Sequence, residues 1–207
     1  MLKIGVLVSG GGTNLQAIID AVEDGKINGK IVSVVSNKKD AYALERAKKY
    51  GIEGTFISRR EAGSIENYGE LLIKHFKERE VDLILLAGFM LILSENFINT
   101  FENRIMNIHP ALIPSFCGKG FYGLKVHEEV LKKGVKITGA TVHFVTAEAD
   151  AGPIILQKAV EVKDDDTPEV LQKRVMEQAE WVIYPEAVRL FAENKIKVVD
   201  NIVRRID

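Results

Sequence analysis

Short apolar runs alternate with amphipathic ones along most of the chain. Residues 4–8 form a near-continuous apolar run, as a parallel strand covered on both faces requires. Leu15, Ile18, Ile19 and Val22 then recur at helical spacing. The alternation repeats. Residues 30–37 predict a strand, 41–50 a helix with Leu44 and Ala47 inward and Gly51 at its end, and 54–58 another strand. Residues 66–78 predict a helix with Tyr68, Leu71, Leu72 and Phe76 on its apolar side. Residues 81–87 make the most hydrophobic strand, which belongs at the sheet centre; 97–101 make a short helix, and 105–109 a strand that Pro110 stops. Strands alternating with helices imply a right-handed, parallel, Rossmann-like sheet.

Beyond residue 110 the pattern changes. Residues 124–133 read as a helix, whereas 137–146 and 154–162 alternate in the manner of half-buried strands. A long helix follows, capped by Thr167 or Asp166, with Pro168 in its first turn and acidic residues suited to its N-terminal dipole. It carries Val170, Leu171, Val175, Trp181 and Val182, is broken or kinked at Pro185, and continues to about Phe191. Residues 195–207 predict a small hairpin around Asp200-Asn201. The expectation is one α/β domain over 1–207, its mainly parallel, twisted sheet flanked by helices on both faces, with antiparallel strands toward the C-terminal part.

Composition narrows the partners. The chain is 46% hydrophobic and 28% charged with a net charge of −1, so an anionic ligand must be held locally rather than drawn in by a long-range field. Neither nucleic acid nor an anionic membrane surface is suggested. The single cysteine, Cys117, excludes an internal disulfide and points to a reducing, cytoplasmic setting. The opening residues are too short for a signal-peptide core, and the longest apolar run, 83–93, is far below the ~20 residues of a bilayer crossing.

Three stretches carry candidate chemistry. After the first strand, Ser9-Gly10-Gly11-Gly12-Thr13-Asn14 opens a helix, so backbone N–H groups and the helix dipole can hold an anion. Leu15 stands where a dinucleotide turn needs its third glycine, Asn37 rather than an acid closes the second strand, and no Lys-Ser/Thr pair follows. A single phosphate monoester fits better than NAD or ATP; the plainer alternative is a glycine turn that only lets the helix pack. Residues 88–93 continue the central strand without a polar break, which suits a flat apolar ligand or simply the core. Asn107 and His109 leave the same face of one strand, an amide able to bond an oxyanion beside an imidazole able to move protons. The plainer reading is a hydrogen-bonded strand end.

Other residues read as less eventful. Asp150 lies in a tight loop, where an aspartate usually bonds its own backbone; set close to His109, it would raise that imidazole's pKa and orient it. His75 and His127 read as helix-surface residues, His143 as a hydrogen-bonded strand histidine, and Glu180 as a solvated helix charge. The 115–123 connection, with three glycines and three aromatics, is either a mobile flap or a surface loop, and Cys117 has no visible base partner. Histidine and cysteine spacings build no metal site, and no serine or cysteine pairs with a histidine. Direct attack on a carbonyl remains.

The segments Gly10-Gly11-Gly12-Thr13-Asn14-Leu15-Gln16-Ala17-Ile18, Leu86-Ala87-Gly88-Phe89-Met90, Asn107-Ile108-His109-Pro110, and His143-Phe144-Val145 with Asp150-Ala151-Gly152-Pro153 together resemble the phosphoribosylglycinamide formyltransferase family. The likeness runs over about residues 2–192, with the motifs in order. It implies transfer of a formyl group from 10-formyltetrahydrofolate to the amine of 5′-phosphoribosylglycinamide in purine synthesis. It matches Asn107, His109 and Asp150 to a catalytic trio, in which His109 moves protons, Asn107 holds the formyl oxygen and Asp150 tunes the histidine. It matches Gly12, Thr13 and Asn14 to a phosphate turn and Glu180 to a contact with the ribonucleotide. Met90, Leu91, Ile92 and Leu93, together with Asn107 and the loop Thr146, Ala147, Glu148, Ala149 and Asp150, match the surroundings of the folate. Residues 1–103 would then be the phosphate-binding half and 104–207 the catalytic, folate-binding half, in a monomer or weak homodimer without metal.

Two departures stand out: Leu91 replaces an arginine common in the family, and the 116–124 loop is longer than in several members. A formyltetrahydrofolate hydrolase shares the same trio, but such proteins usually carry an added N-terminal regulatory domain, and this chain begins at its first strand. A methionyl-tRNA formyltransferase would need an added nucleic-acid-binding domain and more positive charge. A non-catalytic nucleotide-binding protein would give no reason for Asn107 and His109 to share a face.

Overall fold

The protein is described by a computed structural model covering residues 1–206. The architecture is α/β: a mixed sheet of seven strands, mostly parallel, and a separate two-stranded sheet. The chain divides into two compact units, Met1–Asn107 and Ile108–Asp207.

The first unit alternates strand and helix as the apolar pattern predicts: β1 (Leu2–Val8), α1 (Thr13–Glu23), β2 (Gly29–Ser36), α2 (Tyr42–Lys49), β3 (Gly54–Phe56), α3 (Arg59–Ala62), α4 (Ile65–Glu78), β4 (Leu83–Leu86), α5 (Glu95–Thr100) and the start of β5 (Ile105–His109). Its strands run parallel in the order β3-β2-β1-β4-β5. The central position expected for the 81–87 run holds, and Leu83, Ile84 and Leu85 are fully buried. The short α3 was not foreseen. Its start is set by Ser58, whose hydroxyl accepts from the Glu61 N–H at 3.1 Å, as Ser64 does for Asn67 in α4 at 3.0 Å. A Cβ on Gly5 would lie 2.6 Å from the Phe76 ring, so the bare glycine lets α4 sit on β1. Phe76 continues into a cluster with Phe97 and Phe101.

His75 corrects the surface assignment. It is buried, its Nε2 lies 2.8 Å from the Ser33 hydroxyl, and burial holds its pKa below the ordinary value. Position 75 lies three residues after Leu72 and seven after Tyr68, on the apolar stripe. Leu71, expected inward, is 45% exposed instead.

The second unit holds the end of β5, α6 (Leu124–Lys132), β6 (Ile137–Phe144), β7 (Ile154–Glu161), α7 (Pro168–Val175), α8 (Trp181–Ala192), β8 (Ile196–Val199) and β9 (Ile202–Arg205). β6 and β7 pair antiparallel from Ile137–Glu161 to His143–Ile154, with a register shift between Val142 and His143. Thr167 is the helix cap, accepting from the Val170 N–H at 3.3 Å. Asp166 instead grips Arg174 with both oxygens at 2.5 Å. The long helix breaks earlier than expected. A π turn, Met176–Glu180, separates α7 from α8, and Pro185 lies inside α8. Asp200 and Asn201 take φ of 49° and 59°, the two-residue turn their identities predict for the β8–β9 hairpin. Asp207, the expected end of that hairpin, lies outside the described residues. Among the described residues, no helix is long and apolar enough to cross a membrane.

His127 also corrects its assignment. It is completely buried on α6 with Val126 and Val130, and neither ring nitrogen has a hydrogen-bond partner among the described residues. Burial, with a further push from His109, lowers its pKa to about 4.

Candidate active site

In the second unit, three elements converge on Asp150. His109 ends β5, where Pro110 stops the ladder, and its Nδ1 lies 3.6 Å from Asp150 Oδ2. His143, from β6, places Nε2 3.6 Å from Asp150 Oδ1. The 115–123 loop contributes the Gly118 N–H, which donates to Asp150 Oδ2 at 2.9 Å. Asp150 itself sits at φ 55°, a left-handed conformation that an aspartate tolerates better than most residues. It therefore accepts from the loop 32 residues away rather than only capping its own turn.

Both imidazoles are fixed from behind. His109 Nε2 lies 2.8 Å from the Phe116 carbonyl, and His143 Nδ1 lies 2.8 Å from the Phe144 carbonyl. A carbonyl only accepts, so each of these nitrogens carries its hydrogen. In a neutral His109 ring Nδ1, turned toward Asp150, is then the basic nitrogen, and a proton arriving there is met by a carboxylate. The 115–123 loop, whose sequence allows either a flap or plain surface, is bonded into this group through Phe116 and Gly118. His143 is the group's overlooked member. Its signal was the strand alternation that placed it on one side of β6, seven residues before Asp150.

Asp150 pulls the His109 pKa upward, as expected of a carboxylate set close to it, but burial is the larger influence. Burial lowers its pKa, and the opposing pull of Asp150 and the Phe116 carbonyl does not overcome it. The net shift is downward, which favours the neutral ring at neutral pH. Burial would raise the Asp150 carboxyl, but His143, the charge of His109 and the Gly118 N–H together hold it below the ordinary value. Cys117 is pushed up by burial and then by Asp150, which leaves it a thiol rather than a nucleophile.

The remaining residues matched to the folate in this unit form the turn before Asp150. The Thr146 hydroxyl donates to the Glu148 carbonyl at 3.1 Å, while Ala147, Glu148 and Ala149 are exposed. Glu180, read from sequence as solvated, is 6% exposed at the end of the π turn. A wide turn in a helix that carries a buried carboxylate is a frequent feature of functional sites.

In the first unit the glycine turn splits into two roles. Gly12 takes φ 71°, and a Cβ there would lie 2.7 Å from the Ala43 Cβ, so this glycine serves helix packing. Gly10 and Gly11 have nothing within 4 Å of an added Cβ and front open space, as a ligand would need. Gly12 is also the N-cap of α1 and has no side chain to occupy the first-turn N–H groups. Thr13 is exposed and Asn14 buried. Ser9 ties this turn to the apolar loop: its hydroxyl donates to Asn37 Oδ1 at 2.6 Å and accepts from the Met90 N–H at 2.9 Å. In that loop Met90 and Ile92 are 53% and 79% exposed and Leu91 half-buried, whereas Leu93 is buried as core. Asn107, half-buried, lies opposite Leu86 in the ladder between β4 and β5.

Comparison with known proteins extends these observations. A family model described as formyl transferase matches residues 2–188. A phosphoribosylglycinamide formyltransferase from Escherichia coli is 42% identical over 200 residues, 97% of this chain and 92% of that protein. The crystal structure of glycinamide ribonucleotide transformylase 1 from Symbiobacterium toebii superposes with a TM-score of 0.94 at 44% identity, covering 100% of this chain and 95% of that one. A formyltetrahydrofolate deformylase from Pseudomonas syringae reaches a TM-score of 0.86 at 24% identity and covers 66% of that chain, a likeness of fold alone.

Proposed function

The chain belongs to the formyl transferase family, and from that premise we propose that it moves the formyl group of 10-formyltetrahydrofolate onto the amine of 5′-phosphoribosylglycinamide, its relatives being named for formyl transfer with that ribonucleotide. The observation that carries this reading is the approach of His109 Nδ1 to Asp150 Oδ2 at 3.6 Å, with the ring tied at its other nitrogen to Phe116. A neutral imidazole held this way offers a donor at Nε2 and a basic nitrogen backed by a carboxylate.

Bound 10-formyltetrahydrofolate supplies an activated formyl carbon. The exposed Met90 and Ile92 side chains and the half-buried Leu91 suit its flat ring system, with Leu93 as the buried base of their loop, and the polar 146–150 turn suits its ring heteroatoms. The Gly10 to Asn14 turn and Glu180 hold the ribonucleotide by its phosphate and polar groups. Asn107 donates its amide N–H to the formyl oxygen, and His109 Nε2–H takes the same role in place of its bond to Phe116. As the amine nitrogen bonds the formyl carbon it becomes positive and loses one proton; the folate nitrogen gains one as its bond to that carbon breaks. His109 carries this proton on Nε2 once its own ring hydrogen lies on Nδ1 beside Asp150, and Asp150 stabilises the imidazolium while it does. The residues act on small molecules in a cytoplasmic enzyme, monomeric or weakly dimeric, without metal, nucleic acid or membrane.

Purified protein with both substrates should show the rise of deformylated-folate absorbance only when the amine is present. Equal donor breakdown without amine would make water the acceptor and the protein a hydrolase.

A further inference from the structure

We infer that Arg46, on α2, is a positioning residue that aims the backbone of the glycine turn at the substrate's phosphate. The inference rests on the reading of Gly10 to Asn14 as a phosphate site, and it concerns what sets that site rather than what fills it.

All three glycine carbonyls of the turn are engaged. The Gly10 carbonyl accepts from the Ala43 N–H at 3.1 Å, and the Gly12 carbonyl from the Gln16 N–H at 2.9 Å. The Gly11 carbonyl accepts from Arg46 Nε–H at 2.7 Å. A trans peptide points its C=O and the following N–H in opposite directions. Fixing these three carbonyls therefore turns the N–H groups of Gly11, Gly12 and Thr13 the other way. An anion then meets donors and no acceptor.

Two of the three bonds are backbone to backbone. Only the Gly11 carbonyl depends on a side chain, so Arg46 alone decides the direction of the Gly12 N–H. The guanidinium is itself held in place. Its Nη1–H donates to Gln16 Oε1 at 2.9 Å, and Gln16 Nε2–H donates in turn to Asp20 Oδ1 at 2.8 Å and Tyr50 Oη at 3.0 Å. It also lies 5.0 Å from the Tyr42 ring centroid. A planar fork can bond Gly11 and Gln16 together; a lysine ammonium at the end of a shorter reach cannot reproduce both. Gly12, where an added Cβ would lie 2.7 Å from the Ala43 Cβ, lets α2 come close enough for this contact.

The test is steady-state kinetics on wild type, Arg46→Met and Arg46→Lys, with ribose 5-phosphate as a competitor against phosphoribosylglycinamide. Wild type should be inhibited competitively. Arg46→Met should raise the ribonucleotide KM and the inhibition constant by the same factor, roughly 10-fold for a lost charge-assisted bond. Its kcat and folate KM should stay within about twofold, the pattern of lost ground-state binding. Arg46→Lys should recover only part of the loss. Unchanged constants in Arg46→Met overturn the inference while leaving the phosphate reading intact, and full recovery by Arg46→Lys overturns it in favour of charge alone. A wild type indifferent to ribose 5-phosphate overturns the phosphate reading and this inference with it. Thermal midpoints of the three proteins separate a KM effect from loss of folding.

Discussion

His109 is held at both ends of its ring, by a carbonyl at Nε2 and across 3.6 Å by a carboxylate at Nδ1. Replacing it with alanine should lower turnover by at least the ~10²-fold typical of a lost acid–base group, with the circular dichroism spectrum unchanged. Wild-type turnover would move the chemistry elsewhere. Because burial keeps its pKa below 6.5, the acid limb of kcat/KM should fall below that value. Asp150 opposes that shift, so Asp150→Asn should move the limb of the residual activity to still lower pH; a move upward would contradict the geometry. His127 makes the opposite kind of demand, on stability. Its pKa is 6.5 in an ordinary setting and about 4 in the folded protein, so the unfolded chain binds a proton first as pH falls. Stability should drop through that window by about 3 kcal/mol and level off below it. His127→Leu should make the fall of urea midpoints between these pH values shallower, whereas parallel curves for the two proteins would refute the assignment.

The glycine turn offers a test of one element against its neighbour. Gly12→Ala would force an L side chain to φ 71° and into Ala43 of α2, so the thermal midpoint should fall, by the equivalent of about 1–3 kcal/mol. Gly11→Ala meets open space and no positive φ, so the midpoint should hold while the ribonucleotide KM rises. Equal effects on stability would erase the division of roles. This pair also shows how far the element could be read in advance. The strand–glycine–helix order was legible, but periodicity cannot say which glycine faces a ligand and which faces a helix.

Across the whole molecule, His75, His109 and His127 are all held below their ordinary pKa, each chiefly by burial. Three rings that stay neutral when folded and charge when unfolded make stability fall as pH drops below 6.5, earlier than carboxylates such as Asp150 begin to matter. Thermal midpoints from pH 7.5 down to 5 should show that early decline; a flat profile would mean the rings are wetter than their packing implies.

The apolar runs determined the parallel strands, their alternation with helices, the antiparallel pair after them and the terminal hairpin, because burial periodicity is a local property of the chain. The spacing of Asn107 and His109, two apart on a strand, likewise placed them on one face. What only the tertiary structure decided was environment. Two histidines assigned to helix surfaces are buried, Glu180 is buried in a π turn that no proline marks, and Asp150 bonds to Gly118 rather than only to its own turn. His143 meets Asp150 only seven residues on, but at a carboxylate that the distant Gly118 N–H also holds, and burial overrides that carboxylate at His109. Each depends on which segments meet and how much water they exclude, and both are set by contacts far apart in sequence.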